Sequence, residues 1–443
     1  MKIQLAEHFT CSKLIRFTIP TIIMMIFISI YGVVDGIFIS NFVGSDEFAA
    51  ANIIYPVIMI LGCMGFMVGT GGSALVSKTL GEGDKENANK YFSMLIYALI
   101  IAAIILSVVG IILMEPIAKM LKADGNMFAP AVTYGKVMLM FLVPFVLQGC
   151  FQNFLVAAEK PTFGLVITIL AGITNMSLDY IFMAVLDMGV LGAAIATGIS
   201  EAVGGLIPFT YFLFKNNSPL RLVKTKIDMK IILKACGNGA SEMLSNVSFS
   251  IINILFNLQL MKYAGANGVV AYGIIMYVGF IVIATYLGYS IGVAPVISYH
   301  FGAKNHKELK GLLKKSVGII TVMSVVMTVL IEIFSKHLAA IFVGYDIDLL
   351  NLTTRAIRIF SLSYLLAGFN IFASSFFTAL NDGKISAIIS VFRTLIFQIL
   401  MILILPTIWK IDGLWASVIF AELLAVILSV YFTLKNRKEY KYL

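Results

Sequence analysis

The chain repeats its own pattern after about half its length. The segment 77–81 (SKTLG) recurs in the second half as 298–302 (SYHFG), at the end of a long apolar stretch in both cases. Further pairs match at the same or nearly the same offset: Gly44 with Gly265, Ala50 with Ala271, Phe154 with Phe376, Ala157 with Ala379, Leu191 with Leu414, and Ala193 with Ala416. Because a period this long fixes the architecture, the sequence predicts two halves with the same fold.

The apolar stretches predict an all-α integral membrane protein. Mean hydropathy is +0.97, and only 12% of the residues are charged. About 20 apolar residues span the hydrocarbon core of a bilayer, and the chain offers twelve such windows: 13–38, 48–78, 91–113, 131–158, 162–186, 190–214, 231–262, 268–299, 310–334, 352–380, 385–408 and 413–434. Six helices per half return each half to its starting side, so we expect two pseudo-symmetric six-helix lobes related as a parallel repeat.

The basic residues predict the orientation of the chain. Twenty-three of the 32 Lys and Arg residues lie at the termini or in the loops after even-numbered helices. Basic residues accumulate in cytoplasmic loops, so both termini are expected in the cytoplasm. This bias also accounts for the net charge of +9, and we predict no nucleic-acid partner. The four cysteines are too widely spaced to suggest a metal site or a cofactor.

A polar, basic segment at the midpoint predicts the boundary between the lobes. Residues 216–230 (NNSPLRLVKTKIDMK) form the longest such connection. We therefore expect an N-lobe at 1–215 with helices 1–6, a cytoplasmic linker at 216–230, and a C-lobe at 231–443 with helices 7–12. Within helix 2, glycines recur at helical spacing: Gly62, Gly65, Gly69, Gly71 and Gly72. Small residues inside a membrane helix favour close helix packing over a phosphate loop.

Ionisable residues inside the N-lobe helices indicate a functional site. Asp35 lies in helix 1, Asp179 in helix 5 and Glu201 in helix 6, and such residues are costly within a bilayer. Asn175 shares a helix face with Asp179, and Thr197 shares one with Glu201. All lie at depths that reach the outer half of the bilayer. Two carboxylates, an amide and a hydroxyl predict a cage for a small cation or a pair of acids that shares a proton.

The C-lobe carries a different set of polar residues. Helix 7 presents a stripe on one face: Glu242, Asn246, Ser250, Asn253 and Asn257. Such a stripe favours a water-filled cavity between the lobes, with hydrogen bonding between packed helices as the alternative. Arg393 is the one cation predicted at membrane depth, and either Glu422 or Glu242 is expected to pair with it. We assign Glu201, Glu242, Asn246, Asn253, Asn257 and Arg393 to the substrate cleft or to coupling.

These motifs resemble those of the multidrug and toxic compound extrusion (MATE) transporters over the full length of the chain. The resemblance rests on YGVVDGIFIS (31–40), NMSLD (175–179), GAAIATG (192–198) and the paired segments SKTLGEG and SYHFGAK. It implies twelve helices in two lobes, a monomer, and a multi-pass protein of the prokaryotic plasma (inner) membrane. In prokaryotic members with a helix 1 aspartate, four matching positions form an N-lobe cation site. Carried over, Na⁺ or H⁺ is held by Asp35, Asn175, Asp179 and Thr197.

The expected function is export of organic, cationic and amphipathic compounds by a cation-coupled antiporter working through alternating access. The alternative within the same superfamily is a lipid-linked oligosaccharide flippase, whose cavity needs several buried cations. An enzyme is not expected, because the four histidines are scattered over termini and loop ends. A transporter of the major facilitator type normally has an acidic-basic signature after helix 2, which GEGDKENANK lacks.

Overall fold

The computed structural model describes residues 3–442, which are helical throughout their regular structure. In the N-lobe, the helices are α1 (Cys11–Phe42), α2 (Ser45–Gly81), α3 (Lys85–Met120), the bent α4 (Phe128–Met140 and Leu142–Ala157), α5 (Pro161–Asp179, continued by a π turn at Tyr180–Val185) and α6 (Gly189–Leu213). The segment Met229–Gly302 holds two helices, α7 (229–264) and α8 (266–302), which meet at a kink at Gly265, and α9 is His306–Val343. The bent α10 is Ile347–Ser361 and Tyr364–Ala379. The last spans are α11 (Gly383–Val391, a π turn at Phe392–Ile396, and residues 397–408) and α12 (411–435), which are joined at Trp409 and Lys410.

The expected twelve spans in two lobes are confirmed, although two connections differ from the loops that the sequence suggests. Met229–Gly302 breaks only at Gly265, and Phe397–Lys435 breaks only at Trp409 and Lys410. Gly265 has φ 62°, a left-handed conformation that glycine adopts without strain. Hydropathy finds only the part of each helix within the bilayer, so the helices extend beyond the predicted spans.

The repeat extends to the caps of corresponding helices. Asp84 accepts a hydrogen bond from the backbone N–H of Asn87 at the start of α3. Asn305, which corresponds to Asp84 in the second half, accepts one from the N–H of Glu308 at the start of α9. Each cap satisfies a backbone donor that would otherwise have no partner in the first helical turn. The matched halves therefore share local structure as well as apolar pattern.

The lobes meet most closely at the end of the bundle that carries both termini, here named the terminal end. A Cβ atom placed on Gly81 would lie 2.0 Å from the carbonyl oxygen of Tyr299, and one on Gly302 would lie 2.0 Å from that of Lys78. These two contacts exchange under the repeat, because residues 78 and 81 correspond to 299 and 302. The contact between the SKTLG and SYHFG segments is therefore pseudo-two-fold.

A second pair of close contacts follows the same relation deeper in the bundle. A Cβ on Gly71 of α2 would lie 2.5 Å from the backbone nitrogen of Gly239 in α7. A Cβ on Gly292 of α8 would lie 2.9 Å from the side chain of Thr18 in α1. At the opposite end, Asn246 and Ser250 on α7 and Tyr55 on α2 are exposed. The cleft between the lobes thus opens away from the termini.

Residues 3–10, here named the strap, tie the lobes together at the terminal end. The backbone N–H of Leu5 donates to Glu159 Oε1 of the N-lobe at 2.9 Å. The N–H of Phe9 donates to Glu308 Oε1 of the C-lobe at 3.0 Å, and His8 Nδ1 lies 2.6 Å from Glu308 Oε2. The ammonium of Lys315 donates to the carbonyl of Phe9. Since the Phe9 side chain is fully buried, apolar packing and charge act together here.

Residues 216–228 have no regular secondary structure and run along the N-lobe, and residues 229 and 230 already belong to α7. The backbone N–H of Arg221 donates to Asn89 Oδ1 at 2.7 Å, and that of Val223 donates to Ser93 Oγ at 2.8 Å. Both acceptors lie on α3. The predicted domain boundaries at 215 and 231 stay a prediction, but the connection is anchored to one lobe by its backbone.

Candidate functional site

Two carboxyl groups, that of the half-buried Asp35 and that of the buried Asp179, face each other in the N-lobe. Asp35 of α1 lies beside Asp179 of α5, with the Asn175 amide next to both. Asp179 is fully buried and Asn175 is 2% exposed. Oδ1 of Asp35, Oδ1 of Asn175 and both carboxyl oxygens of Asp179 receive no hydrogen bond from the described residues. The structure thus brings together three of the four residues assigned to the cation site.

Local sequence explains how these groups meet. Gly172, two turns before Asp179, has no side chain, and a Cβ there would lie 2.5 Å from the ring of Phe27 and 3.0 Å from that of Tyr31. This lets α5 approach α1 closely. Asp179 is followed directly by the π turn at Tyr180–Val185. Such wide turns are frequent at functional sites because they redirect side chains out of the regular helical spacing.

The two α6 residues behave differently from each other. Thr197 is half-buried, and its hydroxyl makes no hydrogen bond to Asp35, Asn175 or Asp179 within residues 3–442. Its role as a cation ligand stays a prediction. Glu201 is 8% exposed, and its Oε2 lacks a hydrogen-bond partner in the described part of the chain. Glu201 therefore adds a third acid to this side of the lobe, and it is buried like Asp179.

Sequence reasoning missed the polar ring around these acids. Tyr31 lies next to Asp35, Glu201 and Gln148. Tyr55 also lies near Asp35 and Glu201, and Tyr134 is close to all three acids. The sequence feature that could have indicated this polar environment is Gln148, an amide within the otherwise apolar second arm of α4. Together these side chains place groups able to donate hydrogen bonds near the acids.

In the C-lobe, Arg393 pairs with Glu422, which decides between the two expected partners. Its Nη2 lies 2.9 Å from Glu422 Oε1, and its Nε lies 2.9 and 3.0 Å from Oε1 and Oε2. Asn370 Nδ2 donates to the same carboxylate at 2.7 Å, and Ser429 donates to Asn370 Oδ1 at 3.0 Å. Multiple hydrogen bonds of this kind are what a buried ion pair needs to offset its desolvation.

A cavity of about 390 Å³ lies in front of this pair. Its lining includes Glu242, Asn246, Tyr272, Tyr364, Arg393 and Gln398. The Glu242 carboxylate forms no ion pair within residues 3–442, while Arg393 is already engaged by Glu422. The cavity thus combines aromatic walls with one acidic group that has no basic partner among the residues described.

The α7 stripe divides into two parts, and its expected role in a cavity between the lobes stays a prediction, because the cavity that it lines is formed by C-lobe residues. Glu242 and Asn246 line the cavity, and Ser250 is exposed. Asn253, in contrast, accepts a hydrogen bond from the Tyr272 hydroxyl at 3.0 Å, which joins α7 to α8. Asn257 Oδ1 is buried and receives no hydrogen bond from the described residues. The first part of the stripe faces the cavity, while Asn253 contributes to packing within the lobe.

Known proteins of one family match the chain in both of its lobes. The model of the MatE family matches residues 20–181 and 242–404, once in each lobe. The chain is 26% identical to the multidrug export protein MepA of Staphylococcus haemolyticus (strain JCSC1435), over 96% of this chain and 94% of that protein. It is also 26% identical to MepA of Staphylococcus aureus (strain MSSA476), over 94% and 93%.

Two solved structures share the fold. A crystal structure of MATE in complex with MaL6 superposes with a TM-score of 0.93 at 22% identity, covering 99% of this chain and 98% of that one. A MOP superfamily transporter from Pyrococcus furiosus superposes with a TM-score of 0.89 at 22% identity, with the same coverage. At this identity the likeness concerns the fold alone.

Proposed function

Since the chain belongs to the MatE family, we propose that it is a multidrug efflux transporter that exchanges organic cations for an inward-moving H⁺ or Na⁺. The MepA relatives, named as multidrug export proteins, support export of several small organic compounds. The chain acts as a monomer in the plasma membrane. This proposal joins the family assignment to the geometry of the N-lobe acids.

The facing carboxyl groups of Asp35 and Asp179 are the observation that carries the coupling proposal. Two carboxylates at close range in a dry environment repel each other, unless a proton or a cation lies between them. Four oxygens in this group lack hydrogen bonds from the described residues. Binding of H⁺ or Na⁺ would relieve the repulsion, so occupancy of the site is linked to how tightly α1 and α5 pack. Such differential stabilisation is what shifts a conformational equilibrium.

The distribution of basic residues supports placing the terminal end in the cytoplasm. In that orientation the cleft between the lobes opens to the outside, and the contacts at Gly81 and Gly302 close the inside. Alternating access then requires these contacts to separate while the opposite end closes. One elementary charge moving down 100 mV supplies about 2.3 kcal/mol for this cycle.

The C-lobe cavity favours a cationic drug over the alternative substrate, a lipid-linked oligosaccharide. A pyrophosphate would need unpaired basic groups, whereas Arg393 is held by Glu422. Glu242 and the surrounding rings present one negative charge and several π faces. Flat organic cations bind well to such surfaces, because the ring quadrupole attracts positive charge. The cavity chemistry therefore matches export of amphipathic cations.

The proposal is tested by efflux of a fluorescent organic cation from proteoliposomes under separate pH and Na⁺ gradients. We expect efflux to follow one of the two gradients, and Asp35→Asn to abolish that response. Asp46→Asn serves as the matched control, since Asp46 is an exposed acid near the start of α2. Full coupled efflux by Asp35→Asn would refute the assigned site. Efflux indifferent to both gradients would refute the antiport mechanism.

A further inference from the structure

A second cavity lies on the membrane-facing side of the terminal end. It has a volume of about 640 Å³ and is formed by α1 of the N-lobe together with α8 and α9 of the C-lobe. Its lining includes Cys11, Ile15, Ile22, Tyr289, Lys314 and Val322. We name it the lateral groove. Ile15 and Val322 are exposed at its rim, so the groove is open towards lipid.

The walls of the lateral groove are apolar although they contain hydroxyl residues. The Thr18 hydroxyl donates to the carbonyl of Leu14 at 3.0 Å, and that of Thr285 donates to Ile281 at 2.8 Å. The Tyr289 hydroxyl donates to Ser316 Oγ at 2.9 Å. Each hydroxyl is therefore satisfied within the protein. A molecule bound in the groove would therefore contact the hydrocarbon parts of these walls.

The groove ends in positive charge at the terminal end. Lys315 is already engaged there, since its ammonium donates to the Phe9 carbonyl and lies 3.6 Å from Glu308 Oε1. Lys314 is exposed and has neither an ion pair nor a hydrogen bond to its side chain among the described residues. One wall of the groove thus presents a free ammonium at the level where α9 leaves the membrane.

The dimensions match one leaflet of a bilayer. From Cys11 to Ile22 the groove follows α1 over twelve residues, and the eleven steps between them span about 16 Å at the rise of an α-helix. This is about half of the ~30 Å hydrocarbon core. A single acyl chain with its headgroup at the membrane surface would span this distance.

We propose that the lateral groove binds one anionic phospholipid from the leaflet at the terminal end, with an acyl chain between α1 and α9 and its phosphate at Lys314. The charge complementarity comes from the free ammonium, and the apolar walls exclude a polar occupant. Both lobes supply walls, so the bound lipid stabilises the conformation in which the terminal end is closed. A phospholipid of the surrounding bilayer thereby becomes a ligand of the transport cycle.

Gly318 allows the groove to be filled without disturbing the core. It lines the groove, and a Cβ there would meet no atom within 4 Å. Gly318→Leu therefore places a side chain in the space claimed for the lipid, and a leucine also favours the helix over glycine. Lys314→Gln removes the headgroup contact alone. Lys234→Gln is the matched control, because Lys234 is an exposed lysine at the same end but outside the groove.

The test is native mass spectrometry of the full-length protein titrated with phosphatidylglycerol or phosphatidylcholine. We expect the unmodified protein to bind one phosphatidylglycerol about fivefold more tightly than phosphatidylcholine, the contribution of one basic residue near the surface. Lys314→Gln should erase this preference, Gly318→Leu should remove the tight site for both lipids, and Lys234→Gln should change neither. Equal affinity for the two lipids in the unmodified protein, or an unchanged tight site in Gly318→Leu, would overturn the proposal.

A second readout uses the native thiol of Cys11, which is exposed and lines the groove. In nanodiscs, phosphatidylglycerol should slow its reaction with a maleimide relative to phosphatidylcholine. The protection should disappear in Gly318→Leu when the two lipids are compared. Protection that persists in this variant would mean that the lipid acts elsewhere, which also contradicts the assignment.

Discussion

Replacing Gly302 by alanine should open the terminal end of the bundle. The new Cβ would lie 2.0 Å from the carbonyl oxygen of Lys78 and 2.8 Å from its carbonyl carbon. Ordinary van der Waals contact begins at 3.4 Å, so the two helices must move apart before the new methyl group fits. Both atoms belong to the backbone and cannot move aside as a flexible side chain would. Overpacking of this kind costs about 1–3 kcal/mol.

The cost falls on the state in which the terminal end is closed, because only that state brings the SKTLG and SYHFG segments together. A penalty of about 1–3 kcal/mol corresponds to a change of about 5- to 150-fold in the closed-to-open equilibrium. Spin labels at the exposed positions Lys85 and Lys307 lie on different lobes at this end. Double electron–electron resonance should show a larger population at long distance in Gly302→Ala.

The repeat supplies both a duplicate and a control for this experiment. Gly81→Ala meets the same geometry, 2.0 Å from the carbonyl oxygen of Tyr299, and should shift the distances by a similar amount. Gly237→Ala lies at the same end, but its Cβ would have no neighbour within 4 Å. If Gly302→Ala gives the distance distribution of Gly237→Ala, the inference that these backbone contacts hold the terminal end closed is wrong.

Three further substitutions test other parts of the structure. Arg393→Met leaves the Glu422 carboxylate with the Asn370 amide as its remaining side-chain partner and should lower the free energy of unfolding by about 3–5 kcal/mol. Thermal unfolding in detergent measures this loss. Adding Glu422→Leu to the same protein should recover most of it. Thr197→Val should keep coupled efflux in proteoliposomes while Asp179→Asn loses it, because the Thr197 hydroxyl makes no hydrogen bond to the acids within residues 3–442. Equal loss in both variants would support Thr197 as a ligand of the cation. Glu308→Ala removes the acceptor of the Phe9 amide, a charge-assisted bond worth about 1.5–3 kcal/mol, and should speed hydrogen exchange of that amide at least tenfold. An unchanged exchange rate would show that the bond to Glu308 does not protect this amide.

Much of the architecture could be predicted because it depends on patterns local in sequence. Apolar windows give the spans, and the pattern of small residues in α2 indicates close packing. That packing is confirmed, since a Cβ on Gly65 would lie 2.2 Å from the Val146 carbonyl oxygen. The proximity of Asp35 and Asp179 was also within reach, because Asn175 and Asp179 share a face at the depth of Asp35.

Other features depend on the distance between helices and could not be predicted. Glu242 and Glu422 were equal candidates for Arg393, and only the arrangement of α10, α11 and α12 decides between them. The strap has no apolar window, yet Phe9 is fully buried in a cluster of apolar side chains from both lobes. The sequence did not reveal that a single residue, Gly265, separates α7 from α8. Hydropathy falls between two spans in the same way whether a loop or a bend joins them.

The paired contacts at Gly81 and Gly302 have the geometry of an isologous homodimer. Each half offers the same glycine and the same carbonyl, and each glycine receives the carbonyl of the other half. A surface that is complementary to itself needs only one sequence to specify it. The chain therefore corresponds to two such subunits joined end to end, and the covalent join leaves each copy free to diverge. The acids of one half and the Arg393 cavity of the other are the product of that freedom.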